Sequence, residues 1–162
     1  MKPLWAPWRM EYVKAPKEDE NIFNDKVNSK NDRDNLILYR GDFSFIIMNL
    51  YPYNNGHILI LPYKKISNME DLNDNELLEI MKLAQEAMLI FKRKMNAEGF
   101  NFGLNMGRAA GAGIKEHLHY HLVPRWSGDN NFMPTIGNTK VIVQGLLETY
   151  DLIFPEFKKI IL

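Results

Sequence analysis

The chain has 162 residues, of which 46% are hydrophobic, 12% aromatic and 25% charged, enough to bury a core of ordinary size. Twenty basic and twenty acidic residues cancel, which argues against nucleic acid or an anionic membrane as a partner. No cysteine is present, so disulfides, thiolate catalysis and cysteine-ligated zinc are excluded.

The chain reads as a single domain over residues 1–162, with an N-terminal arm and connection at 1–35, a core at 36–126 and a C-terminal extension at 127–162. Its start, "MKPLWAPWRM", has prolines and arginine where a signal peptide has an apolar stretch, and no apolar run is long enough to span a bilayer. A cytoplasmic location with no membrane partner is the expectation. Residues 1–13 read as an aromatic arm docked on the body, and 14–35 as a polar connection with room for a helical turn.

From Leu36 the pattern becomes that of strands. "LILYR" and "FSFIIMN" flank Gly41-Asp42, a two-residue hairpin signal, and "GHILILP" follows after a turn. Asn73 and Glu76 predict a capping box. Apolar residues from Leu77 to Phe91 then recur at helical spacing, predicting a long helix to about Ala97 with Gly99 as its stop. "FNFGLNM" predicts a further strand, "GRAAGAG" a glycine-rich loop, and the next strand carries "EHLHYHLVPRW". The tail from Gln144 reads as helix, interrupted at Pro155. Five strands around one long helix predict an α+β fold.

Three of the chain's four histidines, His117, His119 and His121, occupy alternate positions of one predicted strand. Alternation places them on one face, with Leu118, Tyr120 and Leu122 on the other. A packed core accounts for the leucines and not for the imidazoles. Two chemistries remain. Three neutral imidazoles can form an open zinc site, or one can be a nucleophile while the others bind anionic oxygens and move protons. The only nearby carboxylate, Glu116, faces away from the imidazoles by alternation, whereas "GRAAGAGIK" offers backbone N–H groups of the kind that cradle phosphate. His57 and Asn49 have no claim taken singly.

Taken together, "HLHYHLV", the upstream "NLYPYNNGHILILP" and the loop "NMGRAAGAGIK" resemble the signature of the histidine triad superfamily. The resemblance runs from about Leu36 to Trp126. It implies a five-stranded antiparallel sheet with a long helix and a C-terminal helix, paired in a homodimer into a continuous ten-stranded sheet. It also implies nucleotidyl hydrolase or transferase chemistry, with His119 attacking the α-phosphorus to form a nucleotidyl-histidine. His121 would contact the α-phosphate, and His117 and His57 would complete the catalytic set. Asn49 matches the ribose-binding position, Asn105 an amide that contacts phosphate, and Gly111, Ala112, Gly113 and Ile114 the phosphate loop. The flanks, "LWAPWRMEYV" and "VPRWSGDNNF", resemble the bacterial diadenosine tetraphosphate phosphorylase and hydrolase branch. The loop is one residue longer than in the fragile-histidine-triad hydrolases and lacks their glutamine near Gly113.

The substrate implied is a nucleotide or dinucleoside polyphosphate, with no tightly bound cofactor and no protein-bound metal; any Mg²⁺ arrives with the polyphosphate. Arg108, Lys115 and Arg125 are candidates for distal phosphates, and Trp5, Trp8 and Trp126 for stacking on a base. The alternatives are hydrolysis of another nucleotide conjugate such as a nucleoside phosphoramidate, a non-catalytic nucleotide-binding module, and a zinc-dependent hydrolase. The residues leave open whether water or phosphate accepts the nucleotide.

Overall fold

The structure, a computed structural model, describes residues 22–129, residue 136 and residues 144–162. The expected aromatic arm, with Trp5 and Trp8, lies outside the described residues. Strands β1 (Ile37–Arg40), β2 (Ser44–Met48), β3 (Ile58–Pro62), β4 (Gly99–Leu104) and β5 (Tyr120–Arg125) form one antiparallel sheet in the order β1-β2-β3-β5-β4. Helices α1 (Ile22–Asn28), α2 (Asp74–Met95) and α3 (Leu146–Phe157) complete the α+β architecture. The polar connection thus contains a helix of seven residues.

The central strands β2 and β3 are buried along their whole length, as their unbroken apolar runs require. Helix α2 lies on one face of the sheet, pressing Ile80, Leu83, Ala87 and Ile90 into the core. Its Phe91 ring meets Phe100 of β4 at 6.5 Å, so the even-numbered residues of β4 and β5 back the helix. Its start is the predicted capping box: the Asn73 side chain accepts from the Glu76 N–H at 3.0 Å, and the Glu76 carboxylate accepts from the Asn73 N–H at 2.8 Å. Such a cap contributes about 1 kcal/mol.

Three local expectations are corrected. Helix α2 ends at Met95 with Asn96 in the left-handed region (φ 50°), a conformation its short polar side chain tolerates, and Gly99 opens β4 instead of stopping the helix. The turn from β1 to β2 has three residues, 41–43, because the Glu79 carboxylate of α2 accepts the N–H groups of both Asp42 and Phe43 at 2.8 Å. Helix α3 runs through Pro155 without a break. The proline falls in the last turn, and burial of Tyr150, Ile153 and Phe157 outweighs the one lost hydrogen bond.

Helix α3 is tied to the sheet by Tyr150, whose fully buried hydroxyl donates to the Ile37 carbonyl of β1 at 2.9 Å. Burial pushes the phenol's pKa up, with Asp32 and Asp151 adding to the effect. Tyr150→Phe leaves that carbonyl without its donor. It is expected to lower stability by about 1–2 kcal/mol, read as a lower urea midpoint at unchanged m-value.

Candidate active site

Where β2 and β3 part, the ladder continues for one more pair, with the Asn49 N–H donating to the His57 carbonyl at 2.9 Å. The loop between them folds back so that the Tyr53 N–H donates to His57 Nδ1 at 3.0 Å and the Tyr53 ring stacks on the imidazole at 4.7 Å. Asn49 joins this contact, its Oδ1 accepting from the Tyr51 N–H at 3.0 Å and its Nδ2 facing His57 Nδ1 at 3.3 Å. Gly56 (φ 71°) lets the loop close beneath β5, where an added Cβ would lie 3.1 Å from Pro124 Cγ.

These donors fix the tautomers. A nitrogen that accepts a backbone N–H carries no proton, so the proton of His57 is on Nε2. That Nε2 meets His121 Nδ1 at 2.9 Å and donates to it, which leaves the proton of His121 on its own Nε2. On the sheet His121 pairs with Leu59 and Gly103, on the face opposite α2. Its ring lies 5.0 Å from that of His119.

His117 and His119 stand just before β5 and not within it as the sequence predicts: the strand begins at Tyr120, and His117 lies in a bend. His117 Nε2 donates to the Pro62 carbonyl at 2.8 Å, and the Leu118 N–H donates to the Ile66 carbonyl at 2.6 Å, so the segment after β3 holds the approach to the strand. His119 Nδ1 donates to the His117 carbonyl at 2.8 Å. Its Nε2 therefore carries the lone pair. Phe23 of α1 packs against both rings, at 5.5 Å from His117 and 5.8 Å from His119. Burial pushes the pKa of each below the usual imidazole range, and the hydrogen bonds to the two carbonyls only partly oppose it. Both are neutral at pH 7.

The other expected residues divide. Asn105 follows directly on the Leu104–Tyr120 pair, one residue past the end of β4. In the glycine loop the Gly111 and Ala112 N–H groups close turns onto the Arg108 and Gly107 carbonyls, at 3.1 and 3.2 Å. Among the described residues, the Gly113 and Ile114 N–H groups have no such partner. Arg125 is a structural pin, bonded to Asp129 at 2.6 and 2.8 Å and to Asn101 at 2.7 Å. Trp126 turns to the helix side and donates to the Met95 carbonyl at 2.9 Å. Lys115 pairs with Glu116. Sequence reasoning missed Phe23 and Tyr53: an isolated aromatic in a polar segment was the one available signal for Phe23, and a main-chain donor such as that of Tyr53 leaves none.

A face of imidazoles whose protons are assigned by main-chain groups, carried on this sheet, defines a histidine triad protein. The family model for the HIT domain matches residues 30–128, and the chain belongs to that family. It is 41% identical over 167 residues to an AP-4-A phosphorylase of Mycobacterium tuberculosis, covering 98% of this chain and 86% of that protein. It is 30% identical over 93 residues to a bis(5'-adenosyl)-triphosphatase of Dictyostelium discoideum, covering 57% of this chain and 62% of that one. Among solved structures, a hypothetical histidine triad nucleotide-binding protein from Sulfolobus tokodaii superposes with a TM-score of 0.62 at 26% identity, covering 86% of this chain and 88% of that one.

The shifted imidazoles predict a pH dependence. In the unfolded chain they titrate near 6.5, and in the folded one below it. As pH falls through that window the unfolded state binds more protons, so stability falls; above it both states are neutral and the dependence vanishes. His119→Asn is expected to lessen the loss of Tm between about pH 7 and pH 5, measured by thermal melts.

Proposed function

We propose that the protein cleaves a dinucleoside polyphosphate of the diadenosine tetraphosphate kind at an α-phosphorus, through a nucleotidyl intermediate on His119. The observation that carries this reading is the hydrogen bond from His119 Nδ1 to the His117 carbonyl, which presents a neutral Nε2 lone pair. Nε2 attacks phosphorus, the P–N bond forms, and the bond to the leaving phosphate oxygen breaks. The Nε2–H of His121 donates to that oxygen as negative charge develops. Water or inorganic phosphate then attacks the same phosphorus and breaks the P–N bond, restoring His119. His117 orients the nucleophile through its carbonyl and stays anchored on Pro62.

Around this centre, Asn49 would meet the ribose, Asn105 the phosphate, and the Gly111–Ile114 loop the equatorial oxygens through the Gly113 and Ile114 amides. Such donors act where charge accumulates, each worth about 3 kcal/mol. The similarity to enzymes named for AP-4-A and bis(5'-adenosyl)-triphosphate supports this substrate class. Any Mg²⁺ comes with the polyphosphate. The competing reading, a zinc-dependent hydrolase, predicts that excess chelator abolishes turnover, whereas the histidine nucleophile keeps its activity there. The assembly proposed is a homodimer joined along β4, one of the two edges of the sheet, where Phe102 is 38% exposed.

His119→Asn is expected to lower turnover by about 10⁴-fold or more while leaving nucleotide binding intact, and full activity would overturn the nucleophile assignment. Incubation with diadenosine tetraphosphate, with and without phosphate, identifies the acceptor. ADP formed only with phosphate identifies a phosphorylase, and AMP plus ATP in both conditions an asymmetric hydrolase. No cleavage redirects the search to another nucleotide conjugate such as a phosphoramidate. Phe102→Glu is expected to convert the dimer to monomer on size-exclusion chromatography.

A further inference from the structure

Asp129 follows the last triad histidine by eight residues and touches none of the imidazoles directly. Its carboxylate accepts from Arg125 Nε at 2.6 Å, Asn54 Nδ2 at 2.7 Å, Arg125 Nη2 at 2.8 Å and the Trp126 N–H at 3.2 Å. Arg125 is braced in turn on Asn101 of β4 at 2.7 Å. The contact that leads inward is Asn54. Its side chain is buried, and its amide also donates to the Pro124 carbonyl at 3.1 Å. Its own carbonyl accepts the His57 N–H at 3.2 Å, and its chain neighbour Tyr53 supplies the N–H on His57 Nδ1. A carboxylate beyond the triad therefore holds the short turn that assigns the first proton of the relay.

We infer that Asp129, acting through Asn54, is a positioning residue that keeps the proton of His121 on Nε2, facing the reaction. The inference rests on the reading of His121 as the donor to the leaving oxygen. Without the brace the Tyr53 N–H withdraws from His57 Nδ1, and that nitrogen takes up the imidazole's proton. His57 Nε2 then becomes an acceptor, and His121 must donate to it from Nδ1. Two rings still share two protons, but the lone pair of His121 now points where its N–H stood. The rings facing His121 are His57, His119 and Tyr53. The charged groups facing Asp129 are Arg125 and, across the turn, Glu98. The hydrogen bond from Arg125 holds the Asp129 carboxyl below the usual carboxylate range.

Asp129→Asn removes the charge and sets an amide against the amide of Asn54; Asn54→Ser breaks the same link from the other side and serves if the first variant does not fold. Either change is expected to lower kcat by about 100-fold with little change in KM. Independently of turnover, ¹⁵N-histidine NMR of the full chain should show the His121 proton on Nε2 in the unmodified protein and on Nδ1 in the variant. Unchanged tautomers would overturn the inference. If His119→Asn retained turnover, the nucleophile assignment would fall, while the NMR readout would still decide the role of Asp129.

Discussion

The hydrogen bond between His57 Nε2 and His121 Nδ1 is the contact on which the rest of the site depends. It joins two residues 64 positions apart and exists only because β3 and β5 are neighbours in the register that pairs Ile58 with Leu122. A slip of one residue would turn His121 toward α2 and bury Leu122 where the imidazole belongs. The long buried runs of β2 and β3, the capping box of α2 and the Tyr150 tie all serve to hold that register. The fold's stability and the site's chemistry are in this sense one constraint.

Burial adds a second layer. An imidazole in water is partly protonated near pH 6.5, and the protonated form has no lone pair to offer phosphorus. Phe23 and the main chain around His119 exclude water from one side of the ring, which disfavours the charged form. Elsewhere in the core the Ser44 Oγ and Tyr120 hydroxyl are buried with no hydrogen-bond partner among the described residues. Those groups carry a real desolvation cost, set against the close fit of β2 and β5.

Much of this was legible in the sequence, for identifiable reasons. Asn73 with Glu76 located the start of α2 because a cap rests on local geometry, whereas strand alternation accounts for His121 alone, since β5 begins at Tyr120 and His117 and His119 precede it. Arg125 misled because a cation beside a phosphate motif invites a phosphate role, while its carboxylate partner, four residues on, comes into reach only after the chain turns. Trp126 misled for a similar reason: alternation from His121 sends it to the opposite side of the sheet. Phe23 stayed hidden because its contacts are with residues nearly a hundred positions away. The division of labour inside the glycine loop, with two amides closing turns, also needed coordinates.

The proton of His119 is assigned by the carbonyl of His117, and that of His57 by the N–H of Tyr53. Both are main-chain groups, present whatever side chain occupies the position. The tautomers of these two rings are therefore written in the course of the backbone. Substitution at position 53 can change the stacked ring freely, and only proline deletes the donor outright. At position 117 no amino acid deletes the acceptor. Such a site resists drift at the positions that set its protons and concentrates its mutational vulnerability in whatever steers the chain: the register of two strands and the turn between them.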